Sequence, residues 1–129
     1  KPSSEEQLKR EVSRALVTAD HYMGMLKFEQ AADRLEEQLA RLSSDDSPLK
    51  HSDLHVEVLQ KYGGILWWDN DFEGAIDAFS AADEVLEDRE AAEIDPGIRR
   101  RRASIWSQLA QLHRACGELD LADDPLTMA

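Results

Sequence analysis

The stretch LQKYGGILWWDNDFEGAIDAFSAA, residues 59–82, decides the fold. Leu59, Tyr62, Gly63 and Leu66 form one spaced set, and Phe72, Ala75, Phe79 and Ala82 form a second. Steps of three and four residues place each set on one face of a helix. Between the two sets lies Asp69-Asn70-Asp71, residue types that favour turns because their short side chains bond the local backbone and tolerate left-handed angles. The stretch therefore predicts two helices folded against each other.

Working outward, the same pattern recurs twice without gaps. Ala15-x2-Thr18-Ala19-x2-Tyr22 is followed by Phe28-x2-Ala31-x3-Leu35. Trp106-x2-Leu109-Ala110-x2-His113 is followed by Leu119-x2-Ala122-x3-Leu126-x2-Ala129. The step from the first anchor to the central alanine is 16 residues in all three copies: 15 to 31, 59 to 75 and 106 to 122. In each copy a small residue on the first helix (Ala19, Gly63, Ala110) faces one on the second (Ala31, Ala75, Ala122). Small residues let two helices approach closely, and the neighbouring Phe or Leu fills the space beside the crossing. Cys116-Gly117-Glu118 supplies the third turn, with Gly117 as a helix C-cap; the first copy, with Gly24-Met25-Leu26-Lys27, lacks this turn chemistry.

The pattern resembles the tetratricopeptide repeat, whose signature is W-x2-L-G-x2-Y followed by A-x3-F. The repeats here are 44 and 47 residues apart, measured from Ala31 to Ala75 and Ala75 to Ala122, against about 34 in the standard unit. Ser47-Pro48 and Asp95-Pro96 each set a capping residue before a first-turn proline. These Pro-led starts and the long period are similar to the kinesin-light-chain variety. At the N-terminus, Ser4-Glu5-Glu6-Gln7 reads as a capping box. The resemblance implies an all-α, right-handed solenoid of three antiparallel hairpins in a single domain, residues 1–129. Its repeats cover about 5–43, 49–92 and 96–129, and its six helices about 5–26, 28–43, 49–69, 72–92, 96–116 and 119–128. Helix 119–128 is short, contains Pro125 and lacks a polar cap. With no initiator methionine, this uncapped end points to a piece of a longer protein.

Composition narrows the function classes. The chain has 129 residues, 42% hydrophobic and 33% charged, which suits one folded domain. A net charge of −12 repels phosphate backbones and anionic lipid, so nucleic acid and direct membrane insertion are excluded as expectations. The apolar run Gly63–Trp68 is too short to span a bilayer. Cys116 is the single cysteine, so no internal disulfide exists, and a reducing intracellular compartment, the cytoplasm first, is expected; an organelle stays open.

The resemblance further implies a protein–protein adaptor that holds a peptide or helix of a basic or neutral partner in its concave groove. Counting from the anchors places Leu16, Asp20 and Met23 of the first repeat there. The second contributes Gln60, Gly64, Trp67 and Trp68, and the third Ser107, Gln111 and Arg114. Trp67 is the anchor chosen first, because tryptophan offers a large rigid contact; its competing reading is core packing. The alternative function is assembly, with self-association through the open end at Leu119, Leu121 and Leu126. Some members of the family grip a terminal carboxylate with a clamp of Lys, Asn and Arg side chains, at positions that here hold Leu16, Asp20, Lys61, Ser104 and Gln108. Only Lys61 is basic, so that clamp is absent.

Catalysis and cofactors are not expected. His51-x3-His55 with Asp53 has two-histidine metal spacing, but no supporting Cys or third ligand motif accompanies it. Cys116 has no evident His or Asn partner for nucleophilic work. Neither a P-loop nor a dinucleotide fingerprint occurs. Arg99-Arg100-Arg101-Arg102 reads either as an anion site or as neutralised by Glu84, Glu87, Asp88, Glu90 and Glu93 on the preceding helix. The second is favoured, although cations oppose the dipole at a helix start.

Overall fold

The computed structural model describes residues 4–44 and 46–123, with side chains as far as Gly117. The described residues form helices joined by turns, with no strand among them. Among them are five helices: α1 Ser4–Gly24, α2 Phe28–Leu42, α3 Asp53–Trp68, α4 Phe72–Ala92 and α5 Pro96–Asp123. Each helix packs on the next in sequence, and α1 also touches α3.

Burial follows the apolar spacing. In α1 the chain buries Leu8, Val12, Ala15, Leu16 and Ala19 along one stripe, and in α2 Ala31, Leu35 and Leu42. The central helix α3 is buried on two sides. Val58 and Ile65 join the core formed with α1 and α2. Val56, Leu59 and Leu66 join the core formed with α4 and α5. Tyr62, Ala32 and Leu39 pack against both. A helix apolar all round is what a middle position requires. The last helix contributes Ile98, Ile105 and Leu112, one every seven residues, all buried.

The first two hairpins turn in the same way, 44 residues apart. Lys27 N–H donates to Tyr22 O and Asp71 N–H to Leu66 O, both at 2.8 Å. Leu26 and Asn70 hold φ of 59° and 63°. These six-residue closures around a left-handed residue satisfy carbonyls that the helix end leaves unpaired. Asn70 adopts that conformation readily and Leu26 does not, which is why the first turn carries no recognisable turn signature.

Two expected boundaries are corrected. The helix expected from residue 49 begins instead at Asp53. Ser47 Oγ accepts a hydrogen bond from Leu49 N–H at 3.3 Å and caps only a turn. His51 then takes φ of 67°, which interrupts any helix started at Pro48, and Ser52 caps α3 by accepting from His55 N–H at 3.2 Å. Asp95-Pro96 does start α5 as expected, with Asp95 Oδ1 accepting from Gly97 N–H at 2.8 Å.

The second correction concerns the third hairpin. Gly117 aligns with Leu26 and Asn70, yet no glycine here has positive φ and α5 runs through it to Asp123. A glycine inside a helix costs only about 1 kcal/mol relative to alanine, and leaving the helix would need a packed second arm to compensate. Ala110 and Ala122 thus lie on one helix, about 18 Å apart along its axis, and do not cross. Ala110 is exposed. The expected sixth helix falls within α5 as far as residue 123 and beyond that outside the described residues. The capping box proposed at Ser4 is met by a helix that already includes Ser4.

The connection between hairpins is held by His55, the one buried polar side chain among those described. Its Nδ1 accepts from His51 N–H at 3.2 Å and its Nε2 lies 3.4 Å from Ser43 Oγ. Accepting at Nδ1 requires the neutral ring. Burial foremost, then the positive charge of His51 and Lys50, pushes its pKa below the ordinary 6.5. A depressed folded-state pKa means the unfolded chain takes up the proton first. The neutral ring's contribution is therefore complete above about pH 6.5 and is lost as pH falls through the folded value. Urea melts from pH 8 to 5 are expected to show this loss, with a flatter profile for His55→Gln in the same window.

Candidate functional site

The α3 stripe Glu57, Gln60, Gly64, Trp67 and Trp68 forms the floor of a groove whose walls come from α1 and α5. One hollow, about 500 Å³, lies between α1 and α3 and is lined by Asp20, Met23, Glu57, Gln60, Lys61, Gly64, Ile65 and Trp68. A second, about 520 Å³, is lined by Gly64, Trp67, Trp68, Asn70, Phe72 and Gln108. Gly64 and Trp68 belong to both.

Two adjacent glycines have opposite duties here. A Cβ on Gly64 would meet nothing within 4 Å, so the space over this position, which lines both hollows, is open. A Cβ on Gly63 would sit 3.0 Å from the Phe79 ring, the close approach that joins α3 to α4. Phe79 is fully buried and has no room to withdraw. Gly64→Ala is expected to stabilise the fold by about 0.5–1 kcal/mol through helix propensity. Gly63→Ala is expected to destabilise it by about 1–2 kcal/mol net, because overpacking outweighs the same propensity gain. Urea midpoints of the two variants check the opposite signs.

Of the residues expected to form a binding surface, Asp20, Met23, Gln60, Gly64, Trp67 and Trp68 are brought together. Leu16 is buried in the first core. Ser107, Gln111 and Arg114 are exposed on α5 and line neither hollow. Only the helical backbone is described at Leu119 and Leu121, and Leu126 lies outside the described residues. Both tryptophans line the second hollow, and they differ in exposure. Trp67 is half-buried with its ring edge-on to Phe79, 6.3 Å between centroids at 83°, whereas Trp68 is 71% exposed. Sequence spacing missed Glu57, Lys61, Asn70, Phe72 and Gln108 as lining residues; Lys61 and Gln108 had surfaced only as failed clamp positions.

The groove's polar groups are unevenly partnered. Lys61 Nζ pairs with Asp20 Oδ1 at 2.8 Å, and Arg101 Nε donates to Gln60 Oε1 at 3.3 Å. Glu57 is exposed and makes no ion pair among the described residues. Gln108 Oε1 is buried and has no hydrogen-bond partner among them.

The arginine run is largely absorbed within the chain. Arg102 donates to Asp83 and Glu90, each at 2.9 Å. Its guanidinium also lies 4.8 Å from the Trp106 ring centroid. Hydrogen bonds to Asp83 and then Glu90 raise its pKa further above the arginine range. Arg99 reaches Glu90 at 3.2 Å, and Arg101 lies 3.7 Å from Asp53. Asp53 also bonds Arg89, and that bond chiefly holds its carboxyl below the usual range. The junction ties the start of α3 to the end of α4 and the start of α5. Of the expected neutralising acids, Glu87 and Glu90 take part, with Glu93 on Arg89.

Among the described residues no group of three His, Cys, Asp or Glu is placed to hold a metal ion. The His51/His55 pair has both His55 nitrogens engaged as described. No helix among those residues is long and apolar enough to cross a membrane. Compared with protein-family models, curated proteins and solved structures, the chain matches none.

Proposed function

We propose that this chain is a protein-interaction module, without catalytic activity or cofactor, that holds a peptide or helical segment of another protein against α3. The observation that carries this reading is the pair of hollows meeting at Gly64 beneath Trp68, a large rigid side chain left mostly uncovered. Such anchors dominate binding energy when a partner desolvates them. The 44-residue recurrence of the hairpin turn supports a tetratricopeptide-type repeat, whose right-handed stacking would curve the groove toward its ligand.

Filling the hollows tests the reading. Gly64→Trp occupies open space and leaves the cores untouched, so the variant is expected to fold as the parent does by circular dichroism. A partner recovered with the parent from its native source is expected to be lost with Gly64→Trp. A partner held equally by both proteins would remove the groove from the explanation.

A second reading, self-assembly, draws on Trp106. This residue is 49% exposed on α5, next to the exposed Ala103 and Ala110, a face that no helix covers among the described residues. Light scattering separates the two. A mass that stays monomeric as concentration rises counts against assembly, and a rising mass that falls back with Trp106→Ser counts for it.

A further inference from the structure

Given the reading of the groove as a peptide site, on which this inference rests, its charges specify the occupant more closely than its shape does. Along α3 the lining changes character. At the level of Trp67, Trp68, Asn70 and Phe72 the hollow contains no charged side chain. At the level of Glu57, Gln60 and Lys61 it is polar. Ten residues separate Glu57 from Trp67, about 15 Å along the helix, so the two regions are distinct subsites within one ligand's reach.

In the polar region the charges do not cancel. Lys61 is taken by Asp20 and Arg101 by Gln60 and Asp53. Glu57 is left as the carboxylate without an ion pair among the described residues lining that hollow. It lines the same hollow as the exposed indole of Trp68, whose ring face attracts cations. The field of a chain carrying −12 reinforces the preference at longer range. At the apolar end, the buried Gln108 Oε1 lacks a donor, and an unsatisfied acceptor beside an open hollow favours an occupant that brings an N–H.

We propose that the groove binds a basic amphipathic segment of a partner protein. A large apolar side chain of that segment fills the hollow between Trp67, Trp68 and Phe72. A lysine or arginine about 15 Å away along the helix pairs with Glu57.

The test is a selection of phage-displayed random 16-residue peptides on the whole chain. The most enriched sequence is then synthesised and its affinity measured by fluorescence anisotropy. Enriched peptides are expected to combine a large apolar residue with a Lys or Arg. Binding of the synthesised peptide is expected to weaken about tenfold with Glu57→Lys, about threefold with Glu57→Gln, and further as salt rises. Gly64→Trp should abolish it. Both Glu57 variants change an exposed side chain, and their helicity and urea midpoints are expected to match the parent. Enriched peptides that carry no cation, or that bind Glu57→Lys as well as the parent while still losing Gly64→Trp, would overturn the basic-ligand proposal and leave the groove standing. Peptides indifferent to Gly64→Trp would overturn both.

Discussion

Phe79→Ala is expected to lower the unfolding free energy by about 3–5 kcal/mol, the usual range for truncating a fully buried phenylalanine. The ring is the central contact of the second core. It is completely buried, it receives the edge of Trp67, and it lies against the bare backbone of Gly63. Removing it opens space that neither contact fills, because Gly63 has no side chain and Trp67 is held on α3. For a domain whose total stability is on the order of 5–15 kcal/mol, that loss removes from about a fifth to all of it. Urea titration followed by far-UV circular dichroism measures the change. A loss under about 1 kcal/mol, the size of a typical surface change or less, would mean that α3 and α4 are not joined at this crossing.

Ile105→Ala is expected to cost about 2–4 kcal/mol and to do so unevenly along the chain. Three buried side chains, Ile98, Ile105 and Leu112, fasten α5, and Ile105 is the middle one. Among the polar contacts at its start, Arg102 with Asp83 and Glu90 is mostly covered, and Arg99 with Glu90 is exposed on the arginine side, where water screens it. All of them lie in the first two turns and leave the rest of the helix to its apolar contacts. Hydrogen exchange is the informative measurement, because it resolves local opening from global unfolding. Amides of α5 are expected to lose most of their protection. Those of α1 and α2, built around Leu35 and Val12 in the other core, are expected to keep theirs. Uniform loss across all five helices would mean that the two cores unfold as one unit.

The helical class and the first two hairpins are legible in the sequence because spacing alone encodes them. Leu59, Tyr62, Gly63 and Leu66 on α3, with Phe72, Ala75 and Phe79 on α4, repeat one face at helical intervals. The third copy carries the same letters but not the same fold. Local sequence at Gly117 permits a turn without compelling one, and the choice depends on whether the following segment has a surface to pack on. The start of α3 departs from its expected place for a related reason. Ser47-Pro48 is a sound capping pair, but the left-handed His51 three residues after the proline ends what it begins, and backbone sign at a histidine leaves no trace in spacing. In the groove, residue types are readable from sequence and their orientation is not. Trp67 and Trp68 are adjacent, so the helix points them about 100° apart. Which one enters the core depends on where Phe79 arrives from α4. Glu57 lies on the same α3 stripe as Gln60 and Gly64, one step before the positions counted from the anchors, whereas Phe72 reaches the groove only through packing from α4.

Among the described residues α1 and α5 stand at opposite ends of the packing order and are not alike, α1 packing on α2 and α3 and α5 on α4. That difference limits how copies of this unit can meet. A contact of α5 with α5 of another copy is two-fold symmetric and stops at a pair. A contact of α5 with α1 is heterologous, and each addition leaves a fresh end exposed, so it propagates unless it curves into a ring. Sedimentation would tell them apart: a single heavier boundary marks the closed pair, and a continuous spread of sizes marks the open array.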